Sequence, residues 1–144
     1  MKGKAIWTAL PLIIIALAAA ILWKDGSAPA SAQTVTCADP MAGCSTRLGA
    51  REIRIGMTGS PGSPLKPLQP FQVWVQAPGA DRVQVSFTME GMDMGFNLYT
   101  LQPDAQGVFR ARATLPICVT GRRDWNMVVD IDGTLLQVPF TTEI

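Results

Sequence analysis

Histidine does not occur in this chain. Its absence removes the imidazole on which the usual zinc, blue-copper and haem ligand sets depend. It also removes any triad or general base built on a histidine ring. A surplus of one charge is missing too. Twelve Lys and Arg stand against eleven Asp and Glu, with no basic stripe, so nucleic-acid binding has no footprint. Paired carboxylates, a nucleophile elbow and a phosphate-cradling glycine loop are all lacking. The chain therefore gives no sign of catalysis or of a nucleotide cofactor. A bound metal would have to rest mainly on sulfur.

Sulfur is present in a telling arrangement. Three of the seven methionines fall within Met89-Glu90-Gly91-Met92-Asp93-Met94-Gly95. Packing methionines usually have apolar neighbours, whereas these lie beside glycines and acids. Thioethers in a bendable, exposed segment suit a soft monovalent ion, above all Cu(I). Met92 and Met94, two apart, share one face of an extended backbone. Met89 points the other way unless Gly91 bends the chain, and such a bend would gather all three sulfurs. The plainer alternatives are that Met89 ends a core strand with the other two filling gaps, or that the segment is a Met-rich contact surface.

The N-terminus reads as a membrane segment. Lys2 and Lys4 precede a charge-free run over residues 5–23. At about 1.5 Å per residue the run is about 28 Å long, close to the thickness of a bilayer core. Trp7 and Trp23 stand near its ends, where interfacial aromatics belong, and the positive-inside rule leaves residues 1–4 in the cytoplasm. We read a single-pass signal anchor in the lipid bilayer of a bacterial inner membrane. The alternative is a signal peptide cleaved after Ala30-Ser31-Ala32. Residues 24–36 read as a flexible tether, and residues 37–144 as a periplasmic domain, where disulfides are permitted.

That domain reads as all-β. Period-two alternation marks strands at Glu52–Thr58, Phe71–Ala77, Val83–Phe87, Phe96–Leu101, Phe109–Thr114, Trp125–Ile131 and Thr134–Thr141. Asp132-Gly133 reads as a two-residue hairpin turn. About seven strands predict an immunoglobulin-like two-sheet sandwich, preceded by the transmembrane helix. Between the first two strands, prolines recur every third residue from Pro61 to Pro70, the period of polyproline II. That stretch reads as a stiff crossover between sheets with Pro70 opening the next strand, or as a ligand for a partner's groove.

Three cysteines leave one thiol over. Cys37 and Cys44 are too far apart for a C-x-x-C redox or haem motif. The expectation is a structural disulfide, either Cys37–Cys44 or a staple from one of them to Cys118. The sharper reading makes Cys118 a ligand beside the methionine segment. Arg122, Arg123 and Asp124 read as a solvated turn. A thiol–disulfide role for Cys37 and Cys44 is a further alternative.

Phe87–Gly95, the strand opening Gly107-Val108-Phe109 and Gly121-Arg122-Arg123-Asp124-Trp125 together resemble the YtkA-like family of exported or membrane-anchored bacterial β-sandwich domains. The resemblance covers Val83 to Phe140. It implies a role in copper handling or in assembly of haem–copper oxidases. The partner it implies is a membrane or periplasmic protein, an oxidase or a copper protein. It carries over Met89, Met92 and Met94 as candidate ligands. The resulting expectation is a copper metallochaperone, with Cys118 as a further candidate ligand. The competing expectation is a metal-free scaffold module of a membrane complex.

Overall fold

The computed structural model describes residues 31–60, 64–92 and 97–143. The chain divides into two compact units, Met1–Ala30 and Ser31–Ile144. The charge-free run and its expected membrane helix lie outside the described residues. Among the described residues, no helix is long and apolar enough to cross a membrane.

The second unit is all-β. Its strands are β1 (Gln33–Thr34), β2 (Cys44–Leu48), β3 (Arg51–Thr58), β4 (Pro70–Gln76), β5 (Val83–Thr88), β6 (Leu98–Thr100), β7 (Gln102–Pro103), β8 (Val108–Thr114), β9 (Asp124–Ile131) and β10 (Thr134–Thr141). All seven expected strands are present as β3 to β6 and β8 to β10, with β10 matching at both ends and the others within two residues at each end. The added strands are β2 and the short β1 and β7. Strand β2 escaped notice because an edge strand needs few apolar residues, and Cys44-Ser45-Thr46-Arg47-Leu48 is largely polar.

Two five-stranded sheets run in the orders β1-β10-β9-β5-β6 and β2-β3-β4-β8-β7. Among the described residues, only the β1–β10 pairing is parallel. Alternate residues of the longer strands, β3, β4, β5, β8, β9 and β10, point inward and form the core of a sandwich. Phe71 of β4 and Phe87 of β5 meet edge-to-face across the sheets, with centroids 5.5 Å apart. The Asp132-Gly133 turn joins β9 to β10 as expected. Both residues have positive φ, 52° and 91°, as a type I′ turn requires.

Two expectations need correction. The proline-rich connection does not cross between sheets, because β3 and β4 are neighbours in one sheet with Ile55 opposite Val75. Pro70 does open β4. The connection instead lends Leu65 to the core and is pinned by Leu68 N–H to Leu115 O at 2.9 Å and Glu143 N–H to Leu65 O at 3.1 Å. The reading of residues 24–36 as a flexible tether also extends too far. Gln33 and Thr34 pair with β10, and Val35 is 3% exposed. One apolar side chain placed to enter the core draws its neighbours into the sheet.

Candidate metal centre

Met89 follows β5 and keeps its inward direction, 3% exposed in the core. The chain then reverses. Met92 N–H donates to Met89 O at 3.2 Å, and the two residues form an isolated antiparallel bridge. Gly91 takes φ 72°, where a Cβ would be strained, so the bend expected of this glycine is present. Met92 is left half-buried beyond the turn. Met94 lies outside the described residues. Asn97, on the return to β6, donates from Nδ2 to Phe87 O at 3.3 Å and so ties the segment back to β5.

The second half of the site comes from the β8–β9 connection. Gly121 N–H donates to Cys118 O at 3.0 Å, and Gly121 takes φ 70°. This turn presents Cys118, 9% exposed, toward the methionine segment. Cys118 Sγ lies 3.6 Å from Met92 Sδ and 3.0 Å from Thr120 Oγ1. Cys37 and Cys44 form the disulfide, with Cα atoms 5.5 Å apart, and Cys118 is the free thiol.

The Cys118 thiol is held below its ordinary range. The hydrogen bond with the Thr120 hydroxyl is the main cause; burial opposes it; the backbone N–H groups of Thr120 and Arg122 and the Arg122 charge add to the lowering. Arg122 does more than face solvent. Its guanidinium donates to Glu90 O at 2.8 Å and, through Nε, to Asp124 Oδ1 at 3.0 Å. It thus clamps the methionine turn to the connection that carries Cys118. The Asp124 carboxyl is held low in turn, chiefly by its bond to Arg122.

Sequence reasoning named Met92 and Cys118 but missed Thr120 and Arg122. A threonine two residues after a cysteine, in a glycine-containing turn, was the available signal for Thr120. Nothing comparable marks Arg122, whose partner Glu90 is 32 residues away.

Two sulfurs that share one ion through bonds of about 2.3 Å, as in zinc thiolate sites, lie about 3.8 Å apart at a tetrahedral angle. The observed 3.6 Å needs only a small widening. Among the described residues, no group of three or more His, Cys, Asp or Glu could hold a metal. An ion here would rest on thiolate and thioether, a donor pair that favours Cu(I). No protein-family model, curated protein or solved structure matches this chain.

Proposed function

We propose that this chain is a membrane-tethered periplasmic accessory protein that binds Cu(I) and hands it to a partner. The observation that carries the reading is the 3.6 Å approach of Cys118 Sγ to Met92 Sδ, from segments 26 residues apart. Cys118 supplies the thiolate and Met92 a thioether; Met89, buried in the core, and Met94 stand as further candidate ligands on the sequence and the family resemblance. The lowered thiol favours this, because a ligand already deprotonated loses less to competing protons. The resemblance to the YtkA-like family points the same way, toward copper delivery or oxidase assembly, and we carry its immunoglobulin-like topology as part of this proposal.

Delivery requires a docking face, and apolar side chains stand exposed near the site. Ile117 and Val119, which flank Cys118, are 59% and 95% exposed. The same feature supports a second reading, a metal-free module that uses this surface within a membrane complex.

The test is a Cu(I) titration of the full-length chain in detergent, against a coloured chelator and under reducing conditions. Stoichiometric binding that is lost in Cys118→Ser and in Met92→Leu/Met94→Leu is the expected result. No binding by the wild-type chain, or unchanged binding by both variants, defeats the copper reading. Co-purification with a membrane partner that survives chelation would then support the second.

A further inference from the structure

A cavity of about 610 Å³ opens at one end of the sandwich, apart from the sulfur pair. Chain geometry creates it. Strand β1 runs along the edge of β10 only as far as Gln137, where Val35 N–H donates to Gln137 O at 2.8 Å. The chain then leaves that edge. The loop closed by Cys37–Cys44 crosses to the other sheet, where Pro40 O accepts from Met57 N–H at 3.0 Å. The gap between this loop and the end of β10 is the cavity. Its apolar lining includes Met41, Met57, Leu65, Trp125 and Phe140.

Three observations say what it would hold. Trp125 lines the cavity at 2% exposure, and its indole Nε1–H has no hydrogen-bond acceptor among the described residues. A buried donor without an acceptor is costly, but this nitrogen is itself shielded from solvent, so an occupant that brings an acceptor reaches it only with a small shift of the indole or its neighbours. The second observation is charge. Asp39, Glu90, Asp124 and Glu143 line the cavity, with no lysine or arginine among its described lining residues. Of these four carboxylates only Asp124 makes an ion pair among the described residues, with Arg122, whose charge also reaches Glu90.

The third is a strand edge. The lining takes in every residue from Pro139 to Glu143, with their β9 partners Asp124, Trp125 and Asn126 on one side and the Ala38–Met41 loop on the other, so the cavity wraps the end of β10 and includes its edge beyond β1. Gln137 turns its carbonyl to this edge, and by the alternation of a strand Pro139 and Thr141 turn the same way. Proline has no N–H to leave unpaired there, as expected of an edge position. Among the described residues, the Pro139 carbonyl and the N–H and carbonyl of Thr141 then have no backbone partner and can pair with an added strand.

We infer that this cavity binds an extended, basic peptide segment of a partner protein. Its backbone adds to the β10 edge beyond β1, with a peptide carbonyl accepting from Trp125 Nε1. Its apolar side chains lie against Met41 and Phe140, and its lysine or arginine lies among Asp39, Glu90 and Glu143. Charge complementarity selects the occupant. The inference goes beyond the copper reading and does not depend on it.

The test uses the metal-free, full-length chain in detergent, labelled with ¹⁵N. The probes are the blocked peptide acetyl-Val-Lys-Leu-Lys-Val-amide, the same peptide with glutamate for lysine, and butylammonium alone. The Trp125 indole N–H cross-peak, assigned through its own backbone, shifts saturably with the lysine peptide. Glu90→Gln/Glu143→Gln, two exposed positions, weakens that binding by about tenfold. The inference is overturned if the Trp125 peak stays still, if the glutamate peptide binds as well, or if butylammonium binds as tightly as the peptide. The last outcome would identify a site for small cations.

Discussion

The Tyr99 hydroxyl sits between both backbone groups of Thr114. It donates to the Thr114 carbonyl at 3.0 Å and accepts from the Thr114 N–H at 3.2 Å. Tyr99 belongs to β6 and Thr114 to β8, so one side chain joins the two sheets at the start of the connection that carries Cys118. Tyr99→Phe leaves two backbone groups without their partner and is expected to cost about 1–3 kcal/mol. Thermal unfolding measures that cost. Amide exchange in Leu115–Gly121 should quicken more than in β9, which distinguishes a loosened connection from general destabilisation.

Thr120 sets the ionisation of Cys118. The thiol is lowered in the folded protein, so it contributes stability that is present above the unfolded thiol's pKa and lost as pH falls through the folded value. The alkylation rate of the thiol against pH should therefore have its midpoint below the ordinary cysteine value of about 8.5. Thr120→Val should move that midpoint upward, and Arg122→Ala should move it less. A midpoint unchanged by Thr120→Val would remove the hydroxyl as the cause.

If Cys118 is the thiolate ligand, Cu(I) affinity should fall by about tenfold per pH unit below the thiol's pKa, because binding displaces one proton. Titrations at several pH values measure the slope. A flat profile would mean that thioethers alone hold the ion, and Cys118 would lose its place in the site.

Gly56 leaves room for one particular neighbour. A Cβ at this position would run into the indole of Trp74, and a Cβ at Gly43 would lie 3.1 Å from the same ring. Trp74 thus packs beneath both β3 and the disulfide loop. Gly56→Ala should displace it and cost roughly 1–3 kcal/mol, about 4–8 °C in Tm per kcal/mol for a domain of this size. Chemical denaturation of the variant checks the value.

Reduction of Cys37–Cys44 opens a short loop, with the two cysteines seven apart in sequence. The loop-entropy model gives a loss of about 2.5 kcal/mol, less than a long-range staple would provide. The comparison is the unfolding midpoint of Cys37→Ser/Cys44→Ser against wild type. The alkylation profile of Cys118 should not change, since that thiol takes no part in the bridge.

The sequence by itself determined the strands and the turns. Alternation reports which face of a strand is buried, and burial is a local property repeated along the chain, so β10 could be read to its end residues. Asp132-Gly133 was equally legible, because positive φ at two adjacent positions is a demand on residue type. The bend at Gly91 was legible for the same reason. Tertiary structure decided the pairings. That Cys118 meets Met92 rather than Cys37 follows from where the β8–β9 connection lies relative to the end of β5. No spacing in the sequence carries that information. Arg122 reads as a solvated residue until the fold sets Glu90 O within 2.8 Å of it. The Asp132 carboxylate, which turn chemistry seemed to explain, also accepts from Asp81 N–H at 3.0 Å and Arg82 N–H at 2.8 Å across the sheet. A hydrogen bond or sulfur contact between distant segments depends on a few ångströms of placement. That placement is set by the packing of the two sheets, whereas residue type and order fix only what each segment can offer.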